Sequence, residues 1–140
     1  MQRILAFDVG DKRIGVAVSD ALGITAQPVE TYHRSGGAQK DAEYLLTLAK
    51  KYAPCMLLFG MPRNMDGSYG EQSEKVKKFA EKVLEGWDGE YAFYDERLTT
   101  MAARRVLLDA DISRGKQKKV IDKLAAVVIL QGYMESRTNR

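Results

Sequence analysis

Ile4-Leu5-Ala6-Phe7-Asp8-Val9-Gly10-Asp11-Lys12-Arg13-Ile14-Gly15-Val16-Ala17-Val18 is the stretch that decides the fold. Ile4 to Phe7 is a short apolar run that ends at Asp8-Val9-Gly10, the pattern of a strand entering a turn. Ile14, Val16 and Val18 then alternate with small or polar residues, which is the two-residue period of a second strand. The connection Gly10-Asp11-Lys12-Arg13 is short and turn-like, so the two strands are expected to pair as an antiparallel hairpin.

Working outward, a third strand is expected from about Ala26 to His33, around Val29, Thr31 and Tyr32. Ala38, Ala42, Leu45, Leu46 and Ala49 follow at the spacing of an amphipathic helix, with Pro54 beyond its end. Cys55 to Phe59 is an unbroken apolar run of strand length, as in a central strand buried on both faces. The turn-rich segment from Gly60 to Ser68 reads as a loop. A second helix follows with Val76, Phe79, Ala80, Val83 and Leu84 on one side, then a fifth strand from Glu90 to Tyr94 that ends at Asp95-Glu96. Thr99 or Thr100 can cap a third helix that buries Ala103, Val106, Leu107 and Ala110. Asp109 to Lys119 is polar and reads as a loop, and a last helix is expected from about Lys119 to Glu135. Its stretch Leu124-Ala125-Ala126-Val127-Val128-Ile129-Leu130 is apolar on all sides, which predicts a largely buried helix. The order βββαβαβαα implies an α/β fold with a five-stranded mixed sheet flanked by helices, the helix-separated strands running parallel.

The totals bound the possibilities. A chain of 140 residues fits one domain, and 45% apolar with 29% charged residues is a globular composition. No apolar run approaches the ~20 residues that cross a bilayer. Met1-Gln2-Arg3 leads directly into a strand-like segment, so no signal peptide is expected, and a cytoplasmic protein is the natural reading. The single cysteine, Cys55, excludes an internal disulfide, and with one histidine, His33, no usual zinc site is expected. A net charge of +3 permits an anionic partner without requiring one. Arg114, Lys116, Lys118 and Lys119 fall within six residues, which is either a solvated basic face or an anion-binding patch.

Three places hold acids where apolar elements end. Asp8 closes the first strand, Asp95 and Glu96 close the fifth, and Asp122 lies one turn before Ala125 and Ala126. Unpaired carboxylates are costly in such places, and a shared divalent cation relieves both their desolvation and their repulsion. Hard oxygen ligands suit Mg²⁺ or Mn²⁺. Each acid also has a plain structural explanation: Asp8 as a turn cap, Asp122 in a helix's first turn, and Asp95 or Glu96 paired to Arg97.

The block from Asp8 to Ala17 resembles the opening motif of the YqgF/RuvX family, D-x-G-x-K-R-x-G. The resemblance continues through Gly60 to Ser68 and Asp95 to Thr100, and ends at Asp122 to Leu130, so four ordered blocks span nearly the whole chain. It implies a single RNase H-like domain over residues 1–140. It also implies a nuclease of ribosome biogenesis, related to the Holliday-junction resolvases and maturing the 5′ end of pre-16S ribosomal RNA. The catalytic and metal-binding set it implies is Asp8, Glu96 and Asp122, with Mg²⁺ (or Mn²⁺) as cofactor. The fourth strand runs into Gly60-Met61-Pro62 and not into an acid, so the second acid is expected from the fifth strand. Asp95 competes with Glu96 there, although only one of two adjacent strand residues can face inward.

Lys12, Arg13, Arg97, Arg114, Lys116, Lys118 and Lys119 are candidates for gripping phosphates, and Asn64 and Ser68 for hydrogen bonds to backbone or sugar. Tyr69, Trp87 and Tyr133 are read as packing residues. The expected partner is nucleic acid: structured or precursor RNA, branched DNA as the alternative, and ribosomal particles. No membrane partner is expected, and the chain is read as a monomer or weak dimer. Three other readings compete. A four-way-junction resolvase normally needs a dimer, which no exposed apolar stripe announces. A non-catalytic RNA-binding assembly factor has no use for repulsive carboxylates beside an anionic backbone. An actin-like ATPase needs two such domains, and no G-x-x-x-x-G-K-[ST] loop is present.

Overall fold

The computed structural model of the chain describes residues 2–62, 70–95 and 114–138, the last segment with side chains at 124–137. Alternation in the opening block produces the expected hairpin: β1 (Arg3–Val9) pairs antiparallel with β2 (Arg13–Ser19). β2 pairs antiparallel with β3 (Ala26–His33), with a bulge between Val16 and Ala17. The chain then crosses through α1 (Ala38–Lys51) to β4 (Cys55–Met61), which lies parallel to β1. A second crossover through α2 (Glu71–Leu84) places β5 (Tyr91–Asp95) parallel to β4. The sheet order is β3-β2-β1-β4-β5, and α3 (Arg114–Thr138) follows. β1 and β4 are central, which is why both are nearly continuous apolar runs.

Each strand divides its side chains between two cores. Leu5, Phe7, Leu57, Phe59 and Met61 face α1 and α2, where Leu45, Val76 and Phe79 meet them. Ile4, Ala6, Met56 and Leu58 face the other way, onto Ala126, Ile129, Leu130 and Met134 of α3. Phe7, Phe59 and Phe93 form a row of rings across β1, β4 and β5, with centroids 5.5 and 5.6 Å apart. Truncating Phe59, fully buried in the middle of that row, is expected to cost about 3–5 kcal/mol.

Four expectations require correction. Asp8 is inside the β1 ladder, opposite Gly15, and does not stand in a turn after the strand. Gly60 and Met61 continue β4 and do not open a loop, because pairing with Tyr94 and Asp95 outweighs the local turn preference of Gly-Met-Pro. The last helix begins at Arg114 and not near Lys119; Lys, Gln and Arg lose little side-chain freedom in a helix, so a charged segment can extend one. The same helix is buried along one side only, since Leu124 and Val128 are half-buried and Gln131 is exposed. The expected helix around Ala103 to Ala110 lies outside the described residues.

Candidate active site

Asp8 shares a face of β1 with Ile4 and Ala6, the side covered by α3. It is half-buried, and its partner on β2 is Gly15, which carries no side chain. On β4, Gly60 follows Phe59, the partner of Phe7, so the next step of the sheet beside Asp8 is also a glycine. Gly15 and Gly60 are both buried. The carboxylate is therefore flanked across the sheet by bare backbone on both sides. Thr31 on β3 pairs with Gly15 in the same row, and its Oγ1 is buried with no hydrogen-bond partner among the described residues.

α3 runs antiparallel to β1. Its C-terminal end lies over the start of the strand, where Met134 and Arg137 line a groove with Gln2, Ile4 and Leu22, and the Arg137 guanidinium reaches Met56. Traced backwards, the helix passes over Ala6 and carries residue 122 towards the Asp8 end of the sheet. Asp122 occupies the third turn and not the first, so the helix-dipole explanation of that acid no longer applies. Position 122 falls on the same side of a 3.6-residue helix as Ala126, Ile129 and Leu130, whose side chains are buried.

The fifth strand separates its two acids. Asp95 pairs with Met61, and both share the α1–α2 face with Phe59 and Phe93. Asp95 thus stands on the face opposite Asp8. Glu96, Asn64 and Arg97 lie outside the described residues, as do Ser68 and Tyr69. Among the described residues no group of three His, Cys, Asp or Glu side chains converges on a metal position, and of the expected triad only the Asp8 side chain is described.

The basic residues fall in two places. Lys12 is exposed in the β1–β2 turn, and Arg13 is half-buried at the start of β2. That turn is closed by the Gly10 N–H donating to the Arg13 carbonyl at 2.8 Å. Arg114, Lys116, Lys118 and Lys119 occupy the first two turns of α3 and not a loop before it. The aromatic side chains pack as expected: Tyr133 meets Tyr94 edge-on at 6.2 Å, and the Trp87 Nε1–H donates to the Glu90 carbonyl at 3.0 Å. Cys55 is buried and free, its thiol pushed up by burial, and His33 is exposed.

One polar cluster beside this region was not foreseen from the sequence. Asp41, in the first turn of α1, is 1% exposed and accepts bonds from the Tyr32 hydroxyl, the Arg34 Nε–H, and both the N–H and hydroxyl of Ser35. Burial raises its pKa, but the bonds from Ser35, Arg34 and Tyr32 prevail and hold it down at about 2. The signal was present: positions 41, 45 and 48 share one helical side, and Leu45 and Leu48 are buried.

Residues 2–136 match the family described as "RuvX: Holliday junction resolvase". A relative from Desulforamulus reducens, named "Putative pre-16S rRNA nuclease", is 53% identical over 134 residues, covering 96% of this chain and 97% of its own. One of the same name from Clostridioides difficile is 53% identical over 137 residues, covering 98% and 96%. Among solved structures, Thermus thermophilus RuvC in complex with a Holliday junction superposes with a TM-score of 0.61 at 17% identity, covering 99% of this chain and 97% of RuvC. A second structure of Thermus thermophilus RuvC gives 0.54 at 16% identity. With its five-stranded mixed sheet in the RNase H-like arrangement of RuvC, the chain belongs to the RuvX family.

Proposed function

We propose that this chain is a metal-dependent nuclease that hydrolyses phosphodiesters in the precursor of 16S ribosomal RNA, trimming its 5′ end. The observation that carries the reading is the setting of Asp8: a half-buried carboxylate between two glycines, at the end of the sheet towards which α3 brings Asp122. The glycines on either side place no side chain across the sheet from it, so a divalent cation could approach its oxygens there. Its oxygen donors fit Mg²⁺ or Mn²⁺. We assign Asp8, Glu96 and Asp122 as the residues that would hold the metal. When bound, it supplies an activated water and a counter-charge for the departing oxygen.

The parity of β5 supports Glu96 over Asp95, because Asp95 shares its face with Met61, away from Asp8. Substrate binding falls to the cations. Four basic residues at the N-terminal end of α3 add their charge to the positive end of the helix dipole. No acid in the first turn offsets them. That concentration of positive charge is stabilised by a phosphate backbone, with Lys12, Arg13 and Arg97 continuing the grip and Asn64 donating to the backbone or sugar.

The chain acts as one domain over residues 1–140, as a monomer or weak dimer in the cytoplasm, on free or ribosome-associated precursor RNA. None of the described helices is long and apolar enough to cross a membrane. A second reading, resolution of four-way DNA junctions, is favoured by the family description and by the superposition on RuvC. The relatives at 53% identity, named for pre-16S RNA, favour the first.

The test compares the wild type with Asp8→Asn on labelled precursor RNA and on a four-way DNA junction, with Mg²⁺, with Mn²⁺ and with chelator. Metal-dependent cleavage by the wild type alone supports the nuclease, and the substrate that is cut chooses between its roles. Binding without cleavage by either protein would reassign the chain as an RNA-binding assembly factor.

A further inference from the structure

Arg34 lies outside every family motif quoted above, yet its side chain touches three elements. Its Nε–H donates to the buried Asp41 carboxylate at 3.0 Å, and its Nη1–H donates to the Gly10 carbonyl at 2.9 Å. Its guanidinium lies 4.5 Å above the Phe79 ring of α2. The Arg34 backbone N–H also donates to the Lys12 carbonyl at 2.9 Å. Two carbonyls of the β1–β2 turn are thus held by one residue, which is itself fixed by the start of α1 and by α2.

We infer that Arg34 is a positioning residue for nucleic-acid binding: it locks the turn that presents Lys12 and Arg13, using Asp41 as its fixed anchor. The inference rests on the nucleic-acid reading above. A planar guanidinium suits the task because its fork serves a carboxylate and a carbonyl at once, whereas a lysine ammonium has no such rigid fork. The Arg34 side chain is only 19% exposed and already committed to protein acceptors, so it acts through the turn and not on the substrate.

A merely structural role, neutralising buried Asp41, makes a different prediction from a positioning role. If only charge matters, Arg34→Lys restores both stability and binding. If the fork matters, Arg34→Lys stays folded while Lys12 loses its fixed position. The experiment measures anisotropy of a labelled RNA hairpin in chelator, so that no cleavage intrudes, for wild type, Lys12→Ala, Arg34→Lys and the double variant. Thermal midpoints are recorded alongside.

Each single variant is expected to bind about fivefold more weakly, with the double no worse than about fivefold, because coupled residues are not additive. Independent losses that multiply to about 25-fold, or unimpaired binding by Arg34→Lys, would overturn the inference. Should Arg34→Lys not fold, Asp41→Asn enters the same cycle, since it loosens the anchor and leaves the guanidinium in place. If the wild type itself does not bind the hairpin, the nucleic-acid reading fails first and takes the inference with it.

Discussion

Asp8 and Asp95 stand on opposite faces of the sheet. Asp8 shares its side with Ile4 and Ala6 under α3, and Asp95 shares its side with Met61 above α1 and α2. On the proposed reading, a metal held on the Asp8 side leaves Asp95 out of reach, and Glu96 is the acid proposed to join Asp8 and Asp122. Glu96→Gln is expected to reduce cleavage on the order of 10³-fold or more, like Asp8→Asn and Asp122→Asn. Asp95→Asn is expected to retain activity within about an order of magnitude, the scale of an indirect effect. Single-turnover rates at saturating metal check this. The opposite ranking of Asp95 and Glu96 would show that the strand delivers the wrong acid.

Acid should strike the Arg34–Asp41 anchor in a defined window. Asp41 is held at about 2, below its unfolded value, by bonds that prevail over its burial. A carboxylate with a depressed folded pKa contributes stability that is fully present above its unfolded pKa, about 3.9, and is lost as pH falls through the folded value. The contribution is about 2 kcal/mol and should fade between about pH 4 and about pH 2. Urea titrations at steps through that range check it. Asp41→Asn should be less stable at pH 7 and should show a flatter acid limb than the wild type.

Salt provides a separate reading of the basic residues. Phosphate contacts release counterions, so the logarithm of affinity should fall linearly with the logarithm of salt concentration. Replacing Lys116 and Lys119 together by Ala should reduce the slope by about 1.5 and weaken different RNA sequences about equally. Binding isotherms from low to physiological salt measure this. An unchanged slope would mean that the start of α3 carries a solvated basic face only.

How much could be read from the chain depended on whether the decisive force was local. The hairpin from Arg3 to Ser19 was legible because two alternating runs flank a short turn, and pairing follows directly from that pattern. β4 was legible because a strand between two helical layers has no polar face to confuse it. The start of α3 was not, since polar residues look alike in a loop and on an exposed helix, and only the backbone distinguishes them. Gly60 and Met61 carried turn signals that pairing with β5 overrode. Asp8 stands out in the sequence only as an acid closing an apolar run; its two glycine neighbours belong to strands that meet only in the folded sheet. Asp41 escaped because helix periodicity was read from apolar residues, and this acid shares their stripe.

The β1–β2 turn supplies the sharpest structural test of the site. Gly10 has no unusual backbone angle that demands glycine; its constraint is space. A Cβ built at that position would lie 2.9 Å from the Arg13 carbonyl oxygen, which is also the acceptor of the Gly10 N–H. Backbone cannot swing aside as a flexible side chain does, so Gly10→Ala must widen the turn and weaken the bond that closes it. Overpacking of this kind typically costs about 1–3 kcal/mol. The same displacement moves the Gly10 carbonyl from Arg34 and shifts the backbone that carries Lys12 and Arg13. Gly10→Ala should therefore lower the thermal midpoint and weaken RNA binding together, although it removes no charge. Gly23→Ala is the control: Gly23 lies in the β2–β3 connection, with nothing within 4 Å of its Cβ position. Its positive φ should make that substitution costly for stability, but RNA affinity should stay unchanged. If both variants lost stability and neither lost affinity, the β1–β2 turn would be only a fold element.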